Sequence, residues 1–163
     1  MSGTETRAKL TTDCAACCSA ARGRMSELHA GLGVAQLGSL GAALHRHNEI
    51  IGRYVAGIDH PGLRVPYELE VRYSGHKMIV LADDAAARDR LRTHLLVRGI
   101  GSAKGVYDVP LHRQPTLRLG AGQRFPAADR FAATHRCLPL SRWLTDDQVD
   151  TVIDAVKGWP HGG

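Results

Sequence analysis

The run from Met25 to about Gly57 constrains the fold of this 163-residue chain more than any other feature. Its apolar residues recur at helical spacing, keep roughly to one stripe and predict one long helix. They are Leu28, Leu32, Leu37, Leu40, Leu44, Ile51 and Val55. Such a helix would be about 50 Å long, whereas a compact domain of this size has a radius of gyration of about 15 Å. The helix should therefore extend beyond its own domain.

Glycines make this helix a poor one on its own. Four of them fall in its first half, at Gly31, Gly33, Gly38 and Gly41, and each costs up to about 1 kcal/mol relative to alanine. Small side chains also allow another surface to approach closely. The pattern therefore predicts that the helix packs against a partner surface.

Composition argues against several functional classes. The chain is 44% apolar and 23% charged, which is ordinary for a single globular domain. Its net charge is +5, but basic and acidic residues alternate, as in Arg88-Asp89-Arg90, which favours a solvated face over nucleic-acid binding. No apolar run approaches the roughly 18 residues of a membrane span, and the first residues lack the apolar core of a signal peptide. We expect a cytoplasmic protein that contacts neither nucleic acid nor membrane.

The rest of the chain alternates between strand and helix signals. Strands are predicted at Tyr67–Tyr73, Lys77–Ala82 and, more briefly, Ala103–Tyr107. Further helices are predicted from a cap at Asp83 or Asp84 to about Val97 with Gly99 closing it, from Pro126 to about Arg136, and from the Thr145–Gln148 capping box to about Lys157.

This order predicts an α+β fold in which a long N-terminal helix precedes a small three-stranded sheet covered by helices. We divide the chain into an N-terminal arm at 1–23, one domain at 24–158 and a tail at 159–163. The arm has no strong periodicity and contains three of the four cysteines.

Residues Arg24 to Leu37 read Arg-Met-Ser-Glu-Leu-His-Ala-Gly-Leu-Gly-Val-Ala-Gln-Leu. The run resembles a segment of the DegT/DnrJ/StrS-type sugar aminotransferases, which use pyridoxal phosphate (PLP). Later motifs match the family in the same order: Arg90–Leu95 with Arg98–Gly101, Tyr107–Pro115, Phe125-Pro126 with Asp129, Cys137–Leu140 and Leu144–Asp150. The resemblance spans roughly residues 22–157 and implies the small C-terminal domain of a fold-type-I aminotransferase.

The resemblance also implies what this sequence lacks. In the family, a large domain supplies the lysine that forms the Schiff base with PLP, together with most ligands of the cofactor phosphate. The lysines here lie outside any such motif: Lys9, Lys77, Lys104 and Lys157. A transaminase needs that amine to hold PLP and shuttle a proton. We therefore expect no transamination by this chain alone.

Family members are dimers with active sites at the subunit interface, and the resemblance assigns roles across it. Arg24 matches an arginine that reaches the phosphate of the neighbouring subunit's PLP, and Arg22 replaces an asparagine with the same task. A guanidinium suits phosphate. His112 matches a histidine near the substrate, and Tyr107 is retained beside it. The first histidine of that motif is Val106 here. Simpler interpretations are a surface arginine for Arg24, a loop histidine for His112 and a packing role for Tyr107.

Cysteines raise one further possibility. Cys14, Cys17 and Cys18 could supply thiolates to zinc, with His29 or Cys137 as a fourth ligand, but the usual second cysteine pair is missing. Free thiols on an arm are the alternative, and we predict no metal site.

Three functions stay open from the sequence. The first is a catalytically incomplete subunit that pairs with a PLP-bearing homologue and completes its interface active site in amino-sugar or aminocyclitol biosynthesis. The second is a scaffold or stabilising partner of such an enzyme that does not touch PLP. The third is a truncated pseudoenzyme, which should self-associate through its exposed helix.

Overall fold

A computed structural model describes residues 25–101, 105–114 and 124–160 of the chain. The predicted arm at 1–23, including Arg22, lies outside these ranges, as does Arg24. Within these ranges, four α-helices, three strands and one 3-10 helix follow in order: α1 Glu27–Gly57, β1 Leu63–Arg64, β2 Met78–Ala82, α2 Ala85–Leu96, the 3-10 helix Leu111–Arg113, α3 Pro126–Thr134, β3 His135–Leu138 and α4 Asp146–Lys157.

The long helix predicted from the leucine pattern is confirmed as one element of 31 residues. It begins after Ser26, whose side chain accepts a hydrogen bond from the His29 amide at 3.4 Å and so caps the helix. Its buried residues all lie near the C-terminal end: Ile50, Ile51 and Tyr54. The Tyr54 hydroxyl donates to the Pro139 carbonyl at 2.9 Å. Only the C-terminal part of α1 therefore belongs to the core.

Ion pairs join that part of α1 to α4. Arg46 Nη2 lies 2.7 Å from Asp146 Oδ1, Arg53 Nη1 lies 2.7 Å from Asp146 Oδ2, and Arg53 Nη2 lies 2.6 Å from Asp150 Oδ1. The hydrogen bond from Arg46 holds the pKa of the Asp146 carboxyl below its ordinary value. These pairs between half-buried arginines and exposed aspartates set the alignment of the two helices, while apolar burial stabilises their contact.

The sheet has the order β1-β2-β3, and both pairings are antiparallel. Met78, Val80 and Ala82 of β2 are buried and alternate with half-buried residues, as expected for a strand with one face in the core. Every residue of β3 is buried. Helix α2 contacts both β2 and β3, and α4 packs against α1 and α2. The predicted class, a long helix followed by a small three-stranded sheet covered by helices, is confirmed.

The first strand was predicted in the wrong place. Residues 67–73 form a folded-back loop, and β1 is the two-residue strand Leu63–Arg64. The Tyr67 and Tyr73 rings pack edge to face with centroids 4.8 Å apart. The Tyr67 hydroxyl donates to the Lys77 carbonyl and accepts from the Ile79 amide. The tyrosines that suggested a strand therefore brace a loop against the start of β2.

The third strand also differs from its prediction. Residues 102–104 lie outside the described ranges, and residues 105–107 are not in a strand. The third strand of the sheet is instead β3, which pairs with β2. The sequence predicted a helix to about Arg136 in this region. Helix α3 ends at Thr134, and Arg136 pairs with Val80 in the sheet. Pairing with β2 overrides the helical signal there.

The predicted caps of the last two long helices are confirmed. Asp84 accepts from the Ala87 amide at 2.7 Å and starts α2, and Gly99 follows it with a positive φ of 72°. Thr145 and Gln148 form a reciprocal capping box on α4. The core includes the first residue of the predicted tail at 159–163. Trp159 is buried, and its carbonyl accepts a hydrogen bond from His60.

The Tyr54 hydroxyl gives a test of the core. Tyr54→Phe keeps the ring but removes the donor to Pro139, so we expect the free energy of unfolding to fall by about 1 kcal/mol. Urea denaturation measures this change. Tyr107→Phe, at an exposed tyrosine, is the control and should change stability by less than about 0.5 kcal/mol. Equal effects of the two substitutions would contradict the assignment.

Candidate functional site

The segment 105–114 and helix α3 enclose an open cavity of about 620 Å³. Its lining is mainly apolar, with one hydroxyl and one amide: Tyr107, Val109, Pro110, Leu111, Gln114, Ala128, Phe131 and Ala132. Tyr107 is 69% exposed. A cavity of this size with few polar groups suits the apolar part of a small molecule or a partner's side chains. Of the site residues predicted from the sequence, Tyr107 lines this cavity.

His112 is held differently, although it is five residues away along the same segment. Its side chain is 11% exposed. The ring lies 5.0 Å from the Phe125 ring, centroid to centroid, and Nε2 lies 3.1 Å from Asp129 Oδ1. The His112 side chain therefore packs from the 3-10 helix against the start of α3. It does not line the cavity with Tyr107.

Asp129 contacts two residues of the 3-10 helix. Its Oδ1 lies 2.8 Å from Arg113 Nε as well as 3.1 Å from His112 Nε2. Neither contact has hydrogen-bond geometry. Within the described part of the chain, this buried oxygen therefore lies close to two nitrogen atoms but makes no hydrogen bond. Asp129 also stands in the first turn of α3, where a negative charge is favourable. It holds the 3-10 helix against α3.

Sequence reasoning missed His135. The first residue of β3 is 1% exposed, and its Nε2 accepts a hydrogen bond from the Val106 amide at 2.7 Å. The side chain thereby anchors the residues that lead into Tyr107. A separation of 29 residues between the two partners leaves no local pattern in the sequence by which this contact could be found.

A polar groove of about 430 Å³ adjoins the cavity. Arginines and aspartates line most of it: Arg88, Asp108, Arg113, Asp129 and Arg130. Arg136 is buried close by, and this burial, together with the charges of neighbouring arginines, lowers its pKa. The groove therefore offers charges of both signs beside an apolar wall, which suits a ligand with polar substituents.

The N-terminal half of α1 forms a second candidate surface. Its apolar side chains are mostly in solvent: Leu28, Leu32, Val34, Leu37 and Leu40 are all among the exposed large hydrophobic residues. A helix turns by about 100° per residue, so Leu28 and Leu37 lie about 180° apart. The apolar surface is therefore broader than the single stripe inferred from the sequence. The glycines Gly31, Gly33, Gly38 and Gly41 have open space where a Cβ would lie.

The described residues do not form a site that could hold PLP covalently. The lysines among them are Lys77, beside β2, and Lys157, at the end of α4, and neither lines any of the four cavities found. Lys9 and Lys104 fall outside the described ranges. Neither of the two described lysines is therefore placed to supply the amine that PLP chemistry requires.

The metal hypothesis has no support from the described geometry. Cys14, Cys17 and Cys18 lie outside the described ranges. Cys137 is buried, and that burial raises the pKa of its thiol, which disfavours a thiolate ligand. Across residues 25–101, 105–114 and 124–160, no three His, Cys, Asp or Glu side chains converge as a metal site would need. Among the same residues, no helix combines the length and apolar character that crossing a membrane requires.

Known proteins resemble this chain over most of its length. The model of the DegT/DnrJ/EryC1/StrS aminotransferase family matches residues 3–157. The spore coat polysaccharide biosynthesis protein SpsC of Bacillus subtilis is 32% identical over 142 residues, which are 82% of this chain and 36% of that protein.

Solved structures agree with this result. The aminotransferase TlmJ from Streptoalloteichus hindustanus is 34% identical with a TM-score of 0.72, covering 85% of this chain and 38% of that one. DesV from S. venezuelae, solved with a ketimine intermediate, is 29% identical with a TM-score of 0.73, covering 83% and 37%. The chain thus spans little more than a third of the length of these relatives.

The extent of the family match, the identity to SpsC and the shared fold agree with one another. They confirm the resemblance drawn from the motifs at Arg24–Leu37 and Tyr107–Pro115. The chain belongs to the DegT/DnrJ/EryC1/StrS aminotransferase family.

Proposed function

We propose that this chain acts in the cytoplasm as a catalytically incomplete subunit, which pairs with a PLP-bearing member of its own family and completes the active site at their interface. The partner binds PLP and supplies the reacting lysine. The reaction belongs to the biosynthesis of an amino sugar or aminocyclitol, for a natural product or a surface polysaccharide. The names of the relatives favour this setting, since SpsC is a polysaccharide biosynthesis protein and TlmJ an aminotransferase.

The observation that carries the proposal is the exposed apolar half of α1. Leu28 is 82% exposed and Leu37 is 65% exposed, on opposite sides of the helix. Burying one leucine side chain is worth about 1.5–3 kcal/mol, so covering both sides yields a large gain. A helix that is apolar around its circumference is normally enclosed by protein. We infer that a partner encloses this half of α1.

The kind of partner is inferred from the family to which the chain belongs. The described lysines do not meet at a cavity, and the chain corresponds to about a third of the length of its relatives. The family resemblance implies that a full-length member carries the cofactor domain together with a domain of this fold. We therefore infer that such a homologue is the partner that covers α1.

We assign three contributions to this chain in the complex. Arg24, with Arg22 beside it, is proposed to bind the phosphate of the partner's PLP, because a guanidinium offers two parallel donors to phosphate oxygens. Tyr107 is proposed to contact the substrate, because its exposed ring faces an open cavity. His112 is proposed to act near the substrate only through the placement of the 3-10 helix.

One observation favours the alternative of a stabilising partner that takes no part in the active site. His112, which the family resemblance placed near substrate, is 11% exposed and already held by Asp129 and Phe125. In that alternative the chain covers part of a homologous enzyme and leaves its pocket unchanged. The two functions predict the same complex and differ in what active-site substitutions do.

The first prediction concerns assembly. Co-expression with a full-length, PLP-bearing family member from the same organism should give a stable heteromer. The double variant Leu28→Gln/Leu37→Gln should weaken it at least tenfold, because a buried leucine contributes about 1.5–3 kcal/mol. Sedimentation of the purified mixture measures the dissociation constant.

Val97→Gln is the matched control, since Val97 is exposed at the far end of α2. It should leave the affinity unchanged, and neither variant should alter the unfolding free energy of the free chain by more than about 0.5 kcal/mol. Absence of any complex would remove the proposal. Self-association of the free chain through the same leucines would instead favour the truncated pseudoenzyme.

The second prediction separates an active-site role from a stabilising one. In the heteromer, Arg24→Ala should weaken PLP retention by about 10- to 100-fold, since a charged hydrogen bond contributes about 1.5–3 kcal/mol. Tyr107→Ala should raise the KM for the amino-acceptor substrate. Retention is followed by the absorbance of bound PLP during dialysis.

Arg72→Ala, at an exposed arginine on the loop before β2, serves as the control and should leave both quantities unchanged. If Arg24→Ala and Tyr107→Ala are also silent while the complex still forms, the chain is a stabilising partner and the active-site role is wrong.

A further inference from the structure

His135 joins three parts of the candidate site. Its backbone begins β3, where it pairs with Leu81 of β2. Its Nδ1 lies 2.6 Å from the Phe131 carbonyl at the end of α3, and its Nε2 lies 2.7 Å from the Val106 amide nitrogen. The sheet, the helix and the segment that carries Tyr107 therefore meet at a single imidazole.

The partners determine the protonation of this ring. The Val106 amide can only donate, so Nε2 accepts and bears no hydrogen. The Phe131 carbonyl can only accept, so Nδ1 carries the hydrogen and donates. Both nitrogens are then used in one neutral tautomer, within a side chain that is 1% exposed. Both ring nitrogens are therefore occupied by backbone partners.

Close approach of the backbone depends on Gly105. A Cβ at this position would lie 2.5 Å from His135 Nε2 and 2.8 Å from its Cε1, which no ordinary side chain could tolerate. Glycine lets residues 105–107 lie directly on the imidazole edge. The Tyr107 amide lies 3.4 Å from the same Nε2, so the contact continues to the residue that lines the cavity.

The other wall of the cavity is set by the same ring. Phe131 stacks on His135 with centroids 4.3 Å apart and an angle of 9° between the planes. Phe131 and Tyr107 both line the 620 Å³ cavity. One buried histidine thus fixes the spacing between a phenylalanine on α3 and a tyrosine on the facing segment.

We infer that His135 is a positioning residue, which sets the aromatic walls of this cavity and so the affinity for the apolar part of the ligand. It acts through Tyr107 and Phe131, and does not touch the ligand or the reacting atoms. Its effect on catalysis rests on the proposed function, in which the cavity belongs to the active site of the heteromer.

The free, full chain tests the positioning itself. His135→Phe keeps a flat ring against Phe131 and removes both nitrogens, so the Val106 amide loses its acceptor. Hydrogen exchange at Val106 should accelerate by about tenfold, while amides of β2 stay unchanged. His135→Gln, which restores an acceptor, should recover part of the protection. Equal exchange at Val106 in the wild type and His135→Phe would overturn the inference.

The heteromer tests the consequence for the ligand. His135→Phe should raise KM for the substrate about tenfold with kcat within about twofold of wild type, and His135→Gln should lie between them. Combined with Tyr107→Ala, His135→Phe should raise KM by less than it does alone, because part of its effect passes through Tyr107 and only the part through Phe131 remains. Additive effects, or a fall in kcat alone, would contradict a positioning role.

These outcomes separate the two claims. A wild-type chain that forms no active heteromer removes the proposed function, while exchange at Val106 still decides whether His135 holds the segment. An active heteromer whose KM is unchanged by His135→Phe removes the inference alone.

Discussion

The attachment of α1 to the core at one end only is the constraint on which the rest of the structure depends. Ile50, Ile51 and Tyr54 bury its C-terminal part, and the arginine pairs to Asp146 align it with α4. The N-terminal half continues as helix, but its leucines remain in solvent. A helix of this kind gains most of its stability from tertiary packing rather than from propensity. The core therefore supports the C-terminal part of α1, whereas within the described residues the leucines of its N-terminal half remain exposed.

The candidate site lies on the folded core, next to β3 and α3. β3 is fully buried and pairs with β2. Its first residue, His135, holds the segment at Tyr107 through the Val106 amide. Asp129 holds the 3-10 helix through His112 and Arg113. Because both anchors rest on the sheet and on α3, the cavity is preformed in the isolated domain. In the proposed complex, the exposed end of α1 would contact the partner, and the cavity would form one wall of a shared pocket.

Local signals predicted much of this fold. The leucine spacing of α1 and the capping residues of α2 and α4 located those helices, and family motifs identified the fold class. Contacts distant in sequence were not predictable. The Tyr67 hydroxyl bonds across a loop to β2, and His135 bonds to an amide 29 residues away. One motif predicts both Tyr107 and His112 as site residues, yet only the structure shows that His112 contacts Asp129 and Phe125 and is not part of the cavity lining.

The central claim is that only the C-terminal part of α1 is stabilised until a partner binds. Amide hydrogen exchange along α1 tests it most directly, because exchange measures the local stability of the helix at each residue. In the free chain, checked to be monomeric by sedimentation, amides from residues 27–41 should exchange rapidly, and those around Ile50 and Tyr54 should be protected. Addition of the PLP-bearing homologue should protect residues 27–41 and leave the core unchanged. Strong protection of residues 27–41 in the monomer, or no gain on adding the homologue, would contradict the account.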